Sequence, residues 1–208
     1  IFMKEKGLEF EHRQLDPLDK SARFLSMNPA GRIPILEEAD GNFIADSSVI
    51  CDYLERIHPE PALYPAMPRD RARAMWFEEY ADTALTQVCA RIFWMHIIIP
   101  IRTGAPTNQA EVDAFRTEQF PAAFDYLEQM APEQAGLIDG TFGITDISLA
   151  APVRLLDLAG APLDAERWPR FEAYYRRTIE RSSAQSIYEE ELYATEVFRT
   201  TGDAPAYQ

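Results

Sequence analysis

Cysteine and histidine are scarce in this chain of 208 residues, which contains 2 cysteines and 3 histidines. Cys51 and Cys89 cannot build a disulfide framework, and so few cysteines favour a reducing compartment. Because no signal peptide is visible, we expect a cytoplasmic location. His12, His58 and His96 are far apart and lack the paired spacing of metal ligands. We therefore expect no bound metal.

The chain also has few basic residues and no long apolar run. The chain carries 20 Lys and Arg against 34 Asp and Glu, which gives a net charge of −14. Nucleic-acid binding needs clustered bases that neutralise phosphates, so we expect no nucleic-acid partner. The longest apolar stretch, around Ile97–Ile101, is too short to cross a bilayer, so we expect no membrane association. The apolar content of 47% is that of an ordinary globular protein.

Up to about Tyr64 the sequence pattern is typical of an α/β layer. Ile1–Lys6 is first apolar and then charged, and Gly7 follows as a glycine at the end of a helix would. We therefore expect the start of this helix, and the segment before it, to be missing from the sequence. The elements predicted next are a strand at Leu8–Leu15 that Asp16–Pro17 breaks, a helix at Ser21–Met27, strands at Ile33–Leu36 and Asn42–Ile44, and a helix that Asp46 or Ser47 caps and His58–Pro59 ends.

Beyond Tyr64 the pattern becomes entirely helical. Pro65 and Pro68 suit a linker, so we expect one domain at residues 1–64 and a second at 65–208. The helices predicted in the second domain are Arg69–Ile99, Gln109–Met130 with a kink at Pro121, Gly143–Gly160 and Glu166–Arg181.

Three segments carry a resemblance to a known family. They read Asn-Pro-Ala-Gly-Arg-Ile-Pro-Ile-Leu at Asn28–Leu36, Ala-Asp-Ser-Ser-Val-Ile at Ala45–Ile50, and Phe-Gly-Ile-Thr-Asp-Ile at Phe142–Ile147. In this order the chain resembles the cytosolic glutathione S-transferases over essentially its whole length. The resemblance implies an α/β plus all-α protein. Its N-terminal domain would be thioredoxin-like and incomplete at its start, and its C-terminal domain all-helical.

The resemblance also implies a glutathione-binding site. The family's proline at the position of Pro34 is cis, which would turn the free backbone groups of Ile33 toward the cysteinyl part of glutathione. Asp46 and Ser47 would hold the γ-glutamyl end, and Arg32 would lie near the glycyl carboxylate. Each residue also has a purely structural interpretation: Pro34 shapes a strand entry, Asp46 and Ser47 cap a helix, and Arg32 is a solvated surface arginine.

The family's catalytic group lies in the turn between the first strand and the first helix. This turn would precede Ile1, so the catalytic residue, which is Ser, Tyr or Cys in different branches, is unknown here. Its hydroxyl or thiol would favour the glutathione thiolate or react itself. The acceptor substrate would lie beside residues near the end of the long helix, for which core packing is the alternative: Phe93, Trp94, His96 and Ile97.

Two classes of function follow from the resemblance. The first is a homodimeric glutathione transferase that uses glutathione as co-substrate and attacks a hydrophobic electrophile, with a Cys-type glutathione-dependent reductase or lyase as a variant of the same family. The second is a non-catalytic relative that serves as a binding or scaffold protein. The intact glutathione motifs Ile33–Pro34 and Asp46–Ser47 favour the enzyme.

Overall fold

The computed structural model describes residues 1–13, 20–134 and 136–202. In these residues a small α/β layer precedes a set of packed helices, as the sequence predicts. The elements are α1 (Phe2–Glu5), α2 (Ala22–Met27), β1 (Ile35–Glu37), β2 (Phe43–Ala45), α3 (Ser47–Ile57), α4 (Pro68–Thr103), α5 (Gln109–Met130), α6 (Ile144–Leu158), α7 (Pro169–Ile179) and α8 (Ser182–Thr201).

The α/β layer is built on a short antiparallel hairpin. Strand β1 pairs with β2 in the register Ile35 to Ala45 and Leu36 to Ile44. The connecting turn contains Gly41, whose φ of +85° is a backbone conformation that favours glycine. Helix α3 packs on both strands, and α2 packs on β2. The end of β2 leads directly into α3, so the hairpin fixes where α3 begins.

The predicted strand at Leu8–Leu15 is wrong for the residues that can be compared. Residues 8–13 have no regular secondary structure, although their side chains alternate in polarity. A strand requires a neighbour for its backbone groups, and β1 pairs only with β2 within the described residues. The last two positions of that prediction, and the break at Asp16–Pro17, lie outside the described residues.

The helical part is organised around α4 and α6. Helix α4 contains two π-helical segments, Ala81–Leu85 and Trp94–Ile98, and packs along α6. Helices α5 and α7 pack against each other through aromatic side chains, with ring centroids 5.4 to 6.1 Å apart between Trp168 and both Phe124 and Phe120. These large rings give the helical part a continuous apolar core.

By length and composition alone, α4 could cross a membrane, which differs from the expectation based on uninterrupted apolar runs. One such helix is a weak indication, because the core helix of a soluble protein passes the same test. Helix α4 contributes fully buried side chains to the core, among them Leu85, Cys89 and Ile92.

The sequence predicts α5 at its observed bounds but does not predict α8. The interior pattern of α8 is weak, because Ser183 and Ala184 are its only buried residues. Its larger apolar side chains, such as Tyr188 and Phe198, are only half buried against the core. A helix that lies on the surface in this way has a short apolar stripe that periodicity does not reveal.

The two parts of the chain meet tightly at the start of α6. Gly143 is the N-cap residue of α6. A Cβ atom on Gly143 would lie 2.5 Å from the carbonyl oxygen of Leu63, so a larger residue does not fit. That carbonyl accepts the Ile144 N–H at 2.8 Å, and Asp146 accepts the Gly143 N–H at 2.7 Å. Glycine at this position therefore allows α6 to dock on the linker.

Lys6 forms the most deeply buried ion pair of the α/β layer. Its side chain has no solvent exposure, and Nζ lies 2.6 Å from Glu55 Oε2. The same ammonium donates hydrogen bonds to the carbonyl oxygens of His58, at 2.7 Å, and Pro61, at 2.8 Å. All three donors of Lys6 are therefore used, which offsets the cost of burying its charge.

Glu55 connects this ion pair to the linker. Its Oε1 accepts the backbone N–H groups of Leu63, at 3.1 Å, and Tyr64, at 3.2 Å. Glu55 lies on α3, and Leu63 and Tyr64 lie in the segment that leads to α4. The pair thus joins α1, α3 and the linker through groups that are inaccessible to water.

We expect Lys6→Met to lower the free energy of unfolding by about 3–5 kcal/mol, because it leaves the buried Glu55 carboxylate without its cation. Lys6→Met combined with Glu55→Gln should recover part of this loss, since a neutral amide oxygen still accepts the linker N–H groups. Urea denaturation measures both. Lys4→Met on the exposed side of α1 is the control and should change stability by less than about 0.5 kcal/mol. Equal losses for Lys4→Met and Lys6→Met would contradict the prediction.

Candidate functional site

The segments Ile33–Pro34 and Asp46–Ser47 meet at one edge of the hairpin. The backbone N–H of Asp46 donates to the carbonyl oxygen of Pro34 at 3.3 Å, so the start of α3 lies beside the Ile33–Pro34 bond. This bond is cis. Ile33 is 47% exposed, and within the described residues its own backbone N–H and C=O form no hydrogen bond. A free donor and a free acceptor therefore lie next to the N-terminus of α3.

The loop before Ile33 is held by Asn28. The Asn28 side chain donates to the Arg32 carbonyl oxygen at 2.8 Å and accepts the Ala30 N–H at 3.0 Å. Gly31, with a φ of +61°, makes the turn between them. These contacts give a physical reason for the Asn-Pro-Ala-Gly-Arg sequence, because they fix the path of the chain into the cis bond.

Asp46 caps α3 in addition to its place in the site. Its Oδ1 accepts the N–H groups of Ser48, at 3.0 Å, and Val49, at 3.3 Å. Its φ of +83° with ψ of 134° is a conformation that non-glycine residues adopt at a cost of about 1–3 kcal/mol. Both contacts use one carboxylate oxygen. The second oxygen, Oδ2, forms no hydrogen bond within the described part of the chain.

Ser47 is the first residue of α3 and is exposed. Within the described residues, neither its hydroxyl nor its backbone N–H forms a hydrogen bond. The N-terminus of a helix carries a partial positive charge, and free N–H groups there bind anions. Ser47 therefore offers two unoccupied donors at the site.

Two basic side chains lie near the loop, one of which the sequence analysis missed. Arg32 is exposed and forms no ion pair in the part of the chain that the structure describes. The Lys20 ammonium lies 3.0 Å from the carbonyl oxygen of Gly31. The signal for Lys20 was weak, because a lone lysine before a predicted helix is usually solvated. Its ammonium nevertheless adds a second cation at Gly31, which lies two positions before Ile33.

Acidic side chains of α4 lie on the other side of the α3 N-terminus. Glu78 is buried and accepts a hydrogen bond from the Tyr64 hydroxyl at 2.9 Å. Burial raises the pKa of Glu78 to about 7, although Tyr64 and the nearby Ser48 hydroxyl favour its ionised form. Burial and the nearby Asp46 charge raise the pKa of Asp82, beside the same Ser48. Asp82 of the same chain therefore lies near the N-terminus of α3.

The structure places the four residues expected near an acceptor pocket on different sides of α4: Phe93, Trp94, His96 and Ile97. Ile97 is 2% exposed and belongs to the core, whereas Trp94 is exposed. Partial burial lowers the pKa of His96, and the charges of Arg116 and Arg199 lower it further. His96 Nε2 is buried without a partner in the described residues. The four side chains therefore do not form a single wall, and their role in an acceptor pocket stays a prediction.

Neither cysteine has the features of a reactive thiol. Cys51 is half buried and Cys89 is buried. Desolvation raises the pKa of Cys51 to about 12 and also raises that of Cys89. A thiol with a raised pKa is protonated at neutral pH and is a poor nucleophile. In the described ranges, no group of three or more His, Cys, Asp or Glu side chains is arranged to hold a metal ion.

We expect Asp46→Ala to lower the free energy of unfolding by about 1–2 kcal/mol, because alanine loses the cap and keeps the unfavourable φ. Asp46→Gly should cost only a few tenths of a kcal/mol, since glycine adopts this φ without strain. Urea denaturation of both variants measures the difference. A glycine variant as unstable as the alanine variant would show that the φ of Asp46 carries no cost.

Comparison with known proteins gives matches in both parts of the chain. The model of the glutathione S-transferase N-terminal domain matches residues 1–57, and that of the C-terminal domain matches residues 108–177. Glutathione S-transferase theta-3 of Mus musculus is 28% identical over 215 residues, which covers 99% of this chain and 84% of that protein.

A bacterial protein is similar in both sequence and structure. Protein LigF of Sphingobium sp. strain SYK-6 is 42% identical over 95 residues, or 43% of this chain and 37% of LigF. Its crystal structure, described as a beta-etherase, has a TM-score of 0.71 at 25% identity and covers 91% of this chain and 92% of that one.

A second solved structure agrees in fold. The glutathione S-transferase from Rhodospirillum rubrum F11 has a TM-score of 0.77 at 25% identity, covering 89% of this chain and 83% of that one. These matches agree with an α/β layer of thioredoxin-like type followed by a helical part. With both domain models matched in order, the chain belongs to the glutathione S-transferase family.

Proposed function

We propose that this protein is a cytoplasmic glutathione transferase in which residues 1–64 bind glutathione and residues 65–208 complete the acceptor side. One observation carries the proposal: the hydrogen bond from Asp46 to Pro34 puts the free backbone groups of Ile33 beside the open N-terminus of α3. A peptide with a carboxylate at each end and a thiol in the middle matches this arrangement.

The cysteinyl part of glutathione would pair with Ile33. The exposed N–H and C=O of Ile33 provide one donor and one acceptor, which is the pattern that a short extended peptide recognises at a sheet edge. Arg32 and Lys20, on the approach to Ile33, would attract the glycyl carboxylate. This arrangement orients the ligand along the loop, with its thiol between the two ends.

The γ-glutamyl end carries an ammonium and a carboxylate side by side. The Ser47 hydroxyl and N–H would donate to the carboxylate, helped by the positive end of the α3 dipole. The free Oδ2 of Asp46 would take the ammonium, with Asp82 close enough to add its charge. The binding of an anionic tripeptide by a chain of net charge −14 then depends on these local donors.

Catalysis requires a group that favours the glutathione thiolate. The thiolate sulfur would attack the electrophilic carbon and form a C–S bond, while the leaving group departs with its electron pair and the thiol proton goes to solvent. We assign no catalytic residue, and the raised pKa values of Cys51 and Cys89 argue against a reaction at either thiol. On the acceptor side, Phe93 and Trp94 lie about three turns beyond Asp82 along α4.

An exposed apolar surface supports the proposed homodimer. Only 33% of the most apolar stretch of α4 is buried. Trp76 is 48% exposed, and its ring lies 5.7 Å from that of the exposed Tyr126 and 5.4 Å from that of Tyr80. An aromatic patch of this kind on a soluble protein is typical of an interface. We propose that a second copy of the chain covers it.

Calorimetric titration with glutathione tests the binding site. We expect Ser47→Ala to weaken binding by roughly tenfold or more, because it removes a hydroxyl that donates to a charged carboxylate. Ser186→Ala on α8 is the matched control and should bind as the wild type does. If Ser47→Ala binds glutathione with wild-type affinity, Ser47 does not bind the γ-glutamyl carboxylate.

The same preparation, mixed with glutathione and an activated aryl chloride, distinguishes the enzyme from a scaffold. Formation of the thioether, followed by absorbance, is expected for a transferase. Glutathione binding without thioether formation across several classes of electrophile would favour the non-catalytic alternative.

Light scattering tests the dimer. We expect the wild type to have twice the 23.7 kDa mass of one chain. Trp76→Glu should give the monomer, because it places a charge in the centre of the proposed apolar contact. Tyr193→Glu, at an exposed position of α8, should remain dimeric. A dimer that survives Trp76→Glu would place the interface elsewhere.

A further inference from the structure

The side chain of Asn28 closes the loop that leads to Ile33. Asn28 directly follows α2 and is only 7% exposed. Its Nδ2 donates to the carbonyl oxygen of Arg32 at 2.8 Å, and its Oδ1 accepts the Ala30 N–H at 3.0 Å. Its own carbonyl oxygen accepts the Gly31 N–H at 2.9 Å. Asn28 therefore binds the loop through its backbone and through both ends of its side-chain amide.

The base of this loop is anchored on α2. The backbone N–H of Asn28 donates to the carbonyl oxygen of Phe24 at 3.0 Å, which ends the helix. Phe24 is itself 1% exposed, so the last turn of α2 is fixed by a buried ring. The Asn28 side chain thus starts from a rigid part of the backbone, and its contact with Arg32 carries that rigidity to the other end of the loop.

The contact between Asn28 and Arg32 decides where the Ile33 N–H points. The peptide bond that joins Arg32 to Ile33 is trans and planar, so its C=O and its N–H point in opposite directions. Because Asn28 holds the C=O, the N–H of Ile33 has to point away from Asn28. Within the described residues this N–H donates to no other group, and Ile33 is 47% exposed. The Asn28 amide therefore sets the direction of a free donor.

We propose that Asn28 is a positioning residue of the glutathione site, which holds the Arg32 carbonyl oxygen and so aims the Ile33 N–H at the cysteinyl carbonyl of glutathione. This inference rests on the proposed function. Asn28 acts through the peptide between Arg32 and Ile33 and does not itself contact the ligand. Part of the affinity for glutathione then depends on a buried amide that lies outside the residues that pair with it.

The role requires a donor and an acceptor on one short side chain. Aspartate has the shape of asparagine, but an ionised carboxylate only accepts hydrogen bonds. Asn28→Asp therefore keeps the bond from the Ala30 N–H and places a carboxylate oxygen against the Arg32 carbonyl oxygen, where the two repel each other. The peptide between Arg32 and Ile33 should turn away, and the Ile33 N–H with it. Asn28→Ser also loses the donor to Arg32 but adds no charge.

The experiment combines calorimetric titration with glutathione and NMR of the protein labelled at isoleucine nitrogen, in which Ile33→Val identifies the Ile33 signal. In the wild type, glutathione should shift the Ile33 amide proton downfield, because this proton gains a hydrogen bond. Asn28→Asp and Asn28→Ser should weaken binding by roughly three- to tenfold and reduce that shift. Circular dichroism and melting temperatures establish that the titrated variants are folded.

Asn108→Asp is the matched control. Asn108 is an exposed residue that caps α5 through Oδ1, which accepts the Glu111 N–H. Aspartate keeps this contact and introduces the same charge as Asn28→Asp does. The control should bind glutathione with wild-type affinity and show the wild-type shift of Ile33. Asn28→Ser separates the lost donor from the added charge.

The possible failures are distinguishable. A wild type that binds no glutathione overturns the proposed function and this inference with it. If the wild type binds glutathione and both Asn28 variants bind it equally well, Asn28 has no positioning role and the proposed function stands. If the variants bind weakly but their Ile33 amide shifts as in the wild type, Asn28 only supports the fold, and the inference is again wrong. Should Asn28→Asp not fold, Asn28→Ser decides between these results.

Discussion

The buried pair between Lys6 and Glu55 is the constraint on which the rest of the structure depends. It takes the ammonium and the carboxylate out of water, and every polar atom around it must then find a partner. Lys6 uses its other donors on the chain after α3, and Glu55 accepts the N–H groups of Leu63 and Tyr64. These contacts satisfy both buried charges. They also fix the path of the backbone between α3 and α4.

From this linker the constraint extends to both sides of the molecule. The Leu63 carbonyl accepts the first N–H of α6 and lies so close to Gly143 that no side chain fits there. The Tyr64 hydroxyl donates a hydrogen bond to Glu78 on α4. The helical part thus docks through backbone contact on one side and through a buried acid on the other.

How much of this could be predicted from the sequence depends on the range of the interaction concerned. The cap of α3 by Asp46 and the ends of α5 involve residues a few positions apart, and local patterns predict them. The family resemblance supplied the thioredoxin-like and helical parts and pointed to Ile33, Pro34, Asp46 and Ser47. The matches to the two domain models confirm the family, while the roles of these residues stay predictions.

What the sequence did not predict involves partners far apart along the chain. Lys6 and Glu55 look like surface residues, because each is charged and the two lie 49 positions apart in the sequence. Glu78 likewise resembles an exposed helical acid until Tyr64 and Ser48 are seen beside it. The strand predicted at Leu8–Leu15 failed for the same reason, since alternation specifies two faces but not a neighbouring strand. Burial of a charge is decided by tertiary contacts, and these are absent from local patterns.

Asp46 shows how one short side chain can serve the fold and the ligand at once. A glutamate at this position would reach further toward an ammonium but would be poorly suited to capping its own helix. The shorter carboxylate of Asp46 curls back so that Oδ1 takes the N–H groups of Ser48 and Val49. Among the residues that the structure describes, the other oxygen has no hydrogen-bond partner, and neither do the two donors of Ser47. This arrangement requires the unfavourable φ of Asp46. The hydrogen bonds of the cap offset part of the free energy that this conformation costs.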